Sequence, residues 1–224
     1  MPAFVPSRKL AGLHVLAAAA LLGLAANGAR AQIASGYSGS SSTSTMGDDE
    51  AWRTLRAFGT CYATRNPGSA VQLIATEPGS RDEAETYRRL FRRDNQSCLG
   101  GNTELRMPVT MVRGAIAEGL YRNRAALPPT LAQAAPAPGA VRTLSEAARC
   151  YAGAHGDRVR SLVEGTAPGS RGEVEALTAM APDFFRCVPA AAHGRQFNAT
   201  QLRYRLAEAL LRLDAPAALS DGRR

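Results

Sequence analysis

The chain has 224 residues and a formal net charge of +8, and because Lys9 is its one lysine, arginine carries almost all of the positive charge. The basic residues are interleaved with acidic residues rather than clustered, which argues against nucleic-acid binding. No stretch beyond residue 31 is apolar enough to cross a bilayer, so we predict no membrane span in the mature chain.

The first 31 residues have the pattern of a secretory signal peptide. Arg8 and Lys9 give a positive start, residues 13–26 form a short apolar run, and a small-x-small cleavage signal ends at Ala31. The next residue is Gln32 rather than cysteine, so we do not expect a lipoprotein anchor. We predict cleavage after Ala31, which lowers the net charge by three, from +8 to +5, and a periplasmic or secreted location.

Residues 32–48 are rich in serine, threonine and glycine, and this composition predicts a disordered segment. The arginines that follow allow two interpretations. The guanidinium fork binds carboxylates and phosphates, which suits an anionic partner. Codon bias in a GC-rich genome is the plainer explanation, because alanine, glycine and proline are abundant as well.

The mature chain contains four cysteines with a repeated spacing. Cys61 and Cys98 are 37 residues apart, and so are Cys150 and Cys187. An exported chain meets an oxidising compartment, where an even number of cysteines indicates disulfides. Of the three pairings, the spacing favours Cys61–Cys98 and Cys150–Cys187. There is no C-x-x-C and no histidine at ligand spacing, so we predict neither a metal nor a cofactor.

The cysteine spacing belongs to a longer internal repeat. The stretch ATEPGSRDEAE at 75–85 resembles GTAPGSRGEVE at 165–175, and CYA occurs at both 61–63 and 150–152. The match continues to the end of each copy, where the two segments share arginine, alanine, glutamate and leucine at equal spacing. These matches indicate that one unit of about 75 residues has been duplicated.

Hydrophobic spacing and caps predict about four helices in each copy and no strand, hence an all-α fold. The first helix presents Trp52, Leu55, Phe58 and Tyr62 on one face, and the last spaces its apolar residues by four. Cap patterns mark the predicted starts of four helices. These patterns are Thr143 with Glu146, Ser80 with Glu83, Ser170 with Glu173, and Asn198 with Gln201. The predicted segments are the signal peptide 1–31, the disordered stretch 32–48, repeat 49–125, a Pro/Ala linker 126–142, repeat 143–214 and a tail 215–224.

Candidate functional residues are few, because none of the common nucleophile, phosphate-loop or zinc-protease motifs occurs. Glu118 and Glu208 have the symmetry of paired acid–base carboxylates, but arginines four residues later explain them better as helical ion pairs. Tyr62 and Tyr151 allow ligand stacking or packing over the disulfides. The mature chain's two histidines are interpreted as loop residues. The candidate anion-binding face consists of Arg81, Arg113, Arg171 and Arg203.

The pattern CYA…PGS…C…RGAIAEGLYR resembles that of uncharacterised exported proteins from alphaproteobacterial genomes. The resemblance covers both copies and implies an exported helical protein, without implying an activity.

These observations leave three classes of function open. The first and favoured one is a non-enzymatic periplasmic helical-repeat protein with a protein-interaction or structural role, its partner unknown. The second is an arginine-mediated binder of anionic envelope material, such as lipid phosphates or acidic glycans. The third is a periplasmic enzyme whose active site has no recognisable motif.

Overall fold

The computed structural model describes residues 33–34, 48–91, 98–99, 107–123, 127–189 and 197–215. The predicted signal peptide and nearly all of the predicted disordered segment lie outside these residues. Within the described residues the chain forms seven α-helices and one pair of two-residue strands, so the predicted all-α class is confirmed.

The strand pair is two residues long on each side and does not change this class. β1, Ile33–Ala34, runs parallel to β2, Phe197–Asn198, which leads directly into the last helix. Asn198 caps that helix as predicted, because its side-chain oxygen accepts the Gln201 N–H at 3.0 Å. The helices are α1 (Asp48–Arg65), α2 (Pro67–Ala75), α3 (Arg81–Phe91), α4 (Val109–Asn123), α5 (Leu144–Gly165), α6 (Arg171–Phe184) and α7 (Ala199–Asp214).

Two serine caps begin α3 and α6 at the predicted positions. The Ser80 hydroxyl accepts the Glu83 N–H at 3.0 Å, and Ser170 accepts the Glu173 N–H at 3.2 Å. The glutamates do not return to the amide of the capping serine, as the capping-box prediction implied. They accept the N–H of the preceding glycine, Gly79 or Gly169, which has a φ near +79° and +78° respectively. A left-handed backbone of this kind favours glycine, which explains the glycine in each PGS turn.

The second half of the chain has four helical segments, as predicted, because α5 consists of two segments joined at a kink, and α6 and α7 follow. Thr143 and Glu146 form the predicted capping box of α5, but α5 then continues through a kink at His155 to residue 165. In the first half, α1 ends at Arg65 and α2 restarts at Pro67. Proline lacks an N–H and its ring clashes with the preceding turn, so it starts a helix rather than continuing one. No proline is present near the α5 kink, yet His155 has a non-helical backbone, with φ −136° and ψ 40°, and divides α5 into two helical segments. His155 is five residues after Cys150, just as Asn66, between α1 and α2, is five residues after Cys61.

The core forms where α1 packs against α4, α5 packs against α7, and α4 crosses α7. The predicted α1 face is confirmed, because Trp52, Leu55, Phe58 and Tyr62 are all buried. The predicted linker is also part of this body rather than a free tether. Leu131 is fully buried in it, and the N–H of Gln133 donates to the carbonyl of Arg212 at 3.3 Å.

The predicted disulfides, Cys61–Cys98 and Cys150–Cys187, are confirmed, with Cα–Cα distances of 5.6 and 5.9 Å. Replacing Cys61 with serine is expected to free the Cys98 thiol alone, because each bridge closes its own loop. In the chain-entropy model, losing such a loop costs about 4 kcal/mol. Alkylation of unfolded, unreduced protein followed by mass spectrometry would locate the free thiol. An alkylated Cys150 or Cys187 in this variant would contradict the pairing.

Gly114 lies where α4 crosses α7, and a Cβ built on it would be 2.2 Å from the Cβ of Tyr204. Gly114→Ala is therefore expected to lower the free energy of unfolding by about 1–3 kcal/mol, because the helices must move apart. Gly68→Ala in α2 is the matched control, since its new Cβ meets no atom within 4 Å. The control should gain roughly 0.5–1 kcal/mol. Urea unfolding measures both, and a Gly114→Ala variant as stable as the control would refute the close crossing.

Candidate functional site

A reciprocal pair of buried ion pairs joins α4 to α7. Arg113 on α4 donates from Nε and Nη2 to the two carboxylate oxygens of Glu208 on α7, at 2.9 and 2.8 Å. Arg203 on α7 donates in the same way to Glu118 on α4, at 2.9 and 3.0 Å. Both arginines are completely buried, and the glutamates are nearly so. Each arginine precedes the glutamate of its own helix by five residues, so one crossing completes both pairs.

The same two arginines hold the ends of other helices. The Nη1 and Nη2 groups of Arg113 donate to the carbonyls of Leu73, Ile74 and Thr76, each at 2.8 Å, where α2 ends. Arg203 donates equivalently at the end of α5, with Thr166 accepting through its hydroxyl at 2.7 Å. The last carbonyls of a helix have no partner within it and carry its negative end, so a guanidinium there is doubly favourable.

Two further arginines complete the network from positions that the sequence pattern identified. Arg122 and Arg212 each donate from Nε at 3.1 Å to the glutamate four residues earlier, Glu118 and Glu208 respectively. The predicted helical ion pairs are therefore present, with both glutamates and Arg212 buried in the core and Arg122 partly exposed. Each arginine also donates to a carbonyl of the other half of the chain: Arg122 to Val163 and Arg212 to Ile74.

The network is not the same at its two ends. Glu83 lies 3.1 Å from Arg113, whereas Glu173 lies 3.8 Å from Arg203 and its Oε1 has no hydrogen-bond partner. Burial raises the pKa of Glu173 above that of an ordinary glutamate. Burial alone would also raise the pKa of Glu208, but the charge and hydrogen bonds of Arg113 hold it below the usual value. Burial thus favours the uncharged form of Glu173, whereas Arg113 favours the ionised form of Glu208.

The predicted anion-binding face is not formed. Arg113 and Arg203 are inaccessible, because glutamates and helix-end carbonyls occupy their guanidinium groups. Arg81 and Arg171 lie on the surface with side chains 90% and 92% exposed, and each pairs with the glutamate four residues later. The four arginines therefore separate into two structural residues and two solvated ion pairs.

The tyrosines and histidines have structural surroundings. Tyr62 and Tyr151 are completely buried, so they pack in the core instead of offering a stacking surface. The ring of half-buried His155 lies 4.8 Å from that of Tyr151, at the kink of α5 rather than in the predicted loop. His193 lies outside the described residues.

A shallow cavity of about 500 Å³ lies between α5 and α6. Its lining combines apolar residues with Asp157, Arg158 and Ser161. The Arg158 guanidinium is paired with Asp183 at 2.8 Å. Among the described residues, no group of three or more histidine, cysteine, aspartate or glutamate side chains is placed to hold a metal ion. In the same part of the chain, no helix is both long and apolar enough to cross a membrane.

The sequence interpretation missed two arginines beside the network. Arg56 on α1 approaches Glu118 at 3.5 Å, and Arg205 on α7 approaches Glu208 at 4.0 Å. Burial, together with the neighbouring guanidinium of Arg122, lowers the pKa of Arg56. Neither arginine has a counterpart in the repeat pattern, so no sequence signal marked them.

No protein-family model, curated protein or solved structure matches this chain.

The two unequal glutamates give a matched pair of variants. At pH 7, Glu83→Gln is expected to lower the free energy of unfolding by roughly 2 kcal/mol, because it weakens a charge-assisted contact with Arg113. Glu173→Gln is expected to cost nothing or to stabilise, because burial already favours the uncharged form of this side chain.

The pH dependence of the second variant has a definite sign. Since the folded-state pKa of Glu173 is raised, the stability it contributes is complete below the unfolded-state pKa, about 4.3, and declines as the pH rises through the folded-state pKa. Glu173→Gln lacks this decline, so its stability relative to the wild type should increase from about pH 4 to pH 7. Urea unfolding across that range tests the expectation, and a constant difference would contradict it.

Proposed function

We propose that this chain is an exported helical protein that acts in the periplasm or outside the cell by binding another protein or by a structural role, and not by catalysis. Two disulfides support an extracytoplasmic location, because such bonds persist in oxidising compartments. The proposed export begins with cleavage after Ala31. The proposed relatives are the exported alphaproteobacterial proteins with the same cysteine and PGS pattern.

The observation that carries this proposal is the reciprocal pairing of Arg113 with Glu208 and Arg203 with Glu118. These charged residues recur in both halves of the sequence, and each is used to fix one helix against another. Recurring carboxylates in a catalytic site would face a cleft, whereas these face guanidinium groups in the core. A rigid body of packed helices supports a role in presenting surfaces rather than in chemistry.

We further propose that the two halves are copies of one duplicated unit of about 75 residues. The matching contacts of Arg113 and Arg203 support this, because both donate to a glutamate of the other half and to a helix end of their own half. The equal cysteine separations of 37 residues support it independently.

A second candidate function is the binding of anionic envelope material through arginine. The observation that favours it is the position of Arg56, which lies on the partly exposed side of the Glu118 cluster and is 3.5 Å from a carboxylate that already holds two other arginines.

The first experiment is native mass spectrometry of the full chain recovered from the periplasm of its own host. We expect the protein to start at Gln32, to be four hydrogens lighter than the reduced form, and to carry the mass of a second protein. Gly68→Ala should retain this complex, and Gly114→Ala should lose part of it, because only the latter disturbs the helix crossing. A bare monomer in every preparation would contradict the interaction role, and an unprocessed N-terminus would contradict the proposed export.

A further inference from the structure

We propose that Arg56 and Arg122 form a binding site for a phosphate group at the partly exposed rim of the Glu118 cluster, where α1 packs against α4. The site rests on the second candidate function, for which it supplies a location and a ligand class, and it uses none of the four arginines of the predicted anion-binding face.

The first argument is a surplus of positive charge around one carboxylate oxygen. Oε1 of Glu118 lies 3.0 Å from Nη2 of Arg203, 3.1 Å from Nε of Arg122 and 3.5 Å from Nε of Arg56. Among the described residues, Glu173 is the other carboxylate that contacts one of these three arginines. It is fully buried and lies 3.8 Å from Arg203. Three guanidinium groups therefore share two carboxylates, and Glu118 is the carboxylate that contacts all three.

The second argument is access. The Arg56 and Arg122 side chains are 32% and 26% exposed, whereas Arg203 is completely buried. Arg122 already donates to Glu118 and to the Val163 carbonyl, which fixes its position. Arg56 approaches Glu118 through Nε at 3.5 Å and makes no hydrogen bond to any described residue, so we infer that its two Nη groups can donate to a ligand. A guanidinium held by two hydrogen bonds, that of Arg122, and one held by a single longer ion pair, that of Arg56, thus contact the same carboxylate oxygen at the partly exposed rim.

The other half of the chain provides a contrast. Arg212 occupies the position equivalent to Arg122 but is only 2% exposed. Five residues before Cys150, where α1 has Arg56 relative to Cys61, α5 has Ser145. The arginine that approaches Glu208 instead, Arg205, is 11% exposed, and its Nη1 is buried. This second cluster is closed to a ligand, so the proposal is confined to the first.

The chemistry of two adjacent guanidinium groups selects the ligand. Each presents planar N–H donors that match the oxygens of phosphate, and charge-assisted bonds of this kind are strong. A bound phosphate would supply the negative charge that Glu118 alone does not provide, and would relieve the repulsion between Arg56 and Arg122. The same chemistry is offered by free inorganic phosphate and by a phospholipid headgroup.

The test compares thermal unfolding of the full mature chain in sodium phosphate and in sodium chloride at equal ionic strength and pH 7. A phosphate concentration about a hundred times Kd should raise Tm by roughly 5–10 °C. Arg56→Gln should abolish the shift while lowering Tm in chloride by no more than a few degrees, since the ion pair with Glu118 that it removes is long, at 3.5 Å, and partly exposed. Arg171→Gln, at a solvated ion pair, is the matched control and should keep the full shift.

A second measurement distinguishes the two sources of phosphate. Titration calorimetry with inorganic phosphate should show binding that Arg56→Gln weakens at least about tenfold. Sedimentation of the wild type with vesicles gives a second readout of the same site. If it co-sediments with phosphatidylglycerol vesicles but not with phosphatidylcholine vesicles, and Arg56→Gln co-sediments with neither, the phosphate belongs to a lipid headgroup. Binding of inorganic phosphate alone would assign it to a free ligand. Equal phosphate effects in the wild type and Arg56→Gln, or no phosphate effect in either assay, would overturn the site.

Discussion

The reciprocal ion pairs between α4 and α7 are the constraint on which the rest of the structure depends. An unpaired guanidinium in a protein core has a desolvation cost of several kcal/mol, so Arg113 and Arg203 are tolerable there only with their partners in place. Each partner belongs to the other half of the chain, at Glu208 and Glu118. Neither half can therefore bury its own arginine alone, and we infer that the two halves fold as one body.

The same arginines extend this constraint to the periphery. Arg113 fixes the end of α2 and Arg203 fixes the end of α5, so a change at the central crossing also releases two helix ends. The disulfides act differently, because each restricts the unfolded chain within one half. Cross-half stability therefore comes from ion pairs and packing, and within-half stability gains a covalent contribution.

The two halves of the chain differ at the helix crossing and at the two glutamate clusters. At the crossing, Gly114 of α4 lies against the side chain of Tyr204 of α7. A Cβ at position 114 would be 2.2 Å from the Tyr204 Cβ, so only glycine fits there without a shift of the helices. At the two glutamate clusters, Arg122 remains partly exposed while Arg212 is enclosed. Both clusters have the same ion pair between a glutamate and the arginine four residues later, but only the Glu118 cluster has this arginine partly open to solvent. This difference is the physical basis for the phosphate site.

The sequence by itself determined the features that depend on near neighbours. Helix faces, serine and threonine caps, the helical ion pairs and the disulfide pairing were predicted correctly, because each depends on spacing within a few residues or on the repeated separation of 37 residues. Only the tertiary structure decided where the charges lie. The sequence pattern predicted that Arg113 binds anions at the surface, whereas the fold pairs it with Glu208, 95 residues away. Local spacing carries no information on such a contact. The same holds for Arg56, whose surplus charge exists only because the fold brings it beside Glu118.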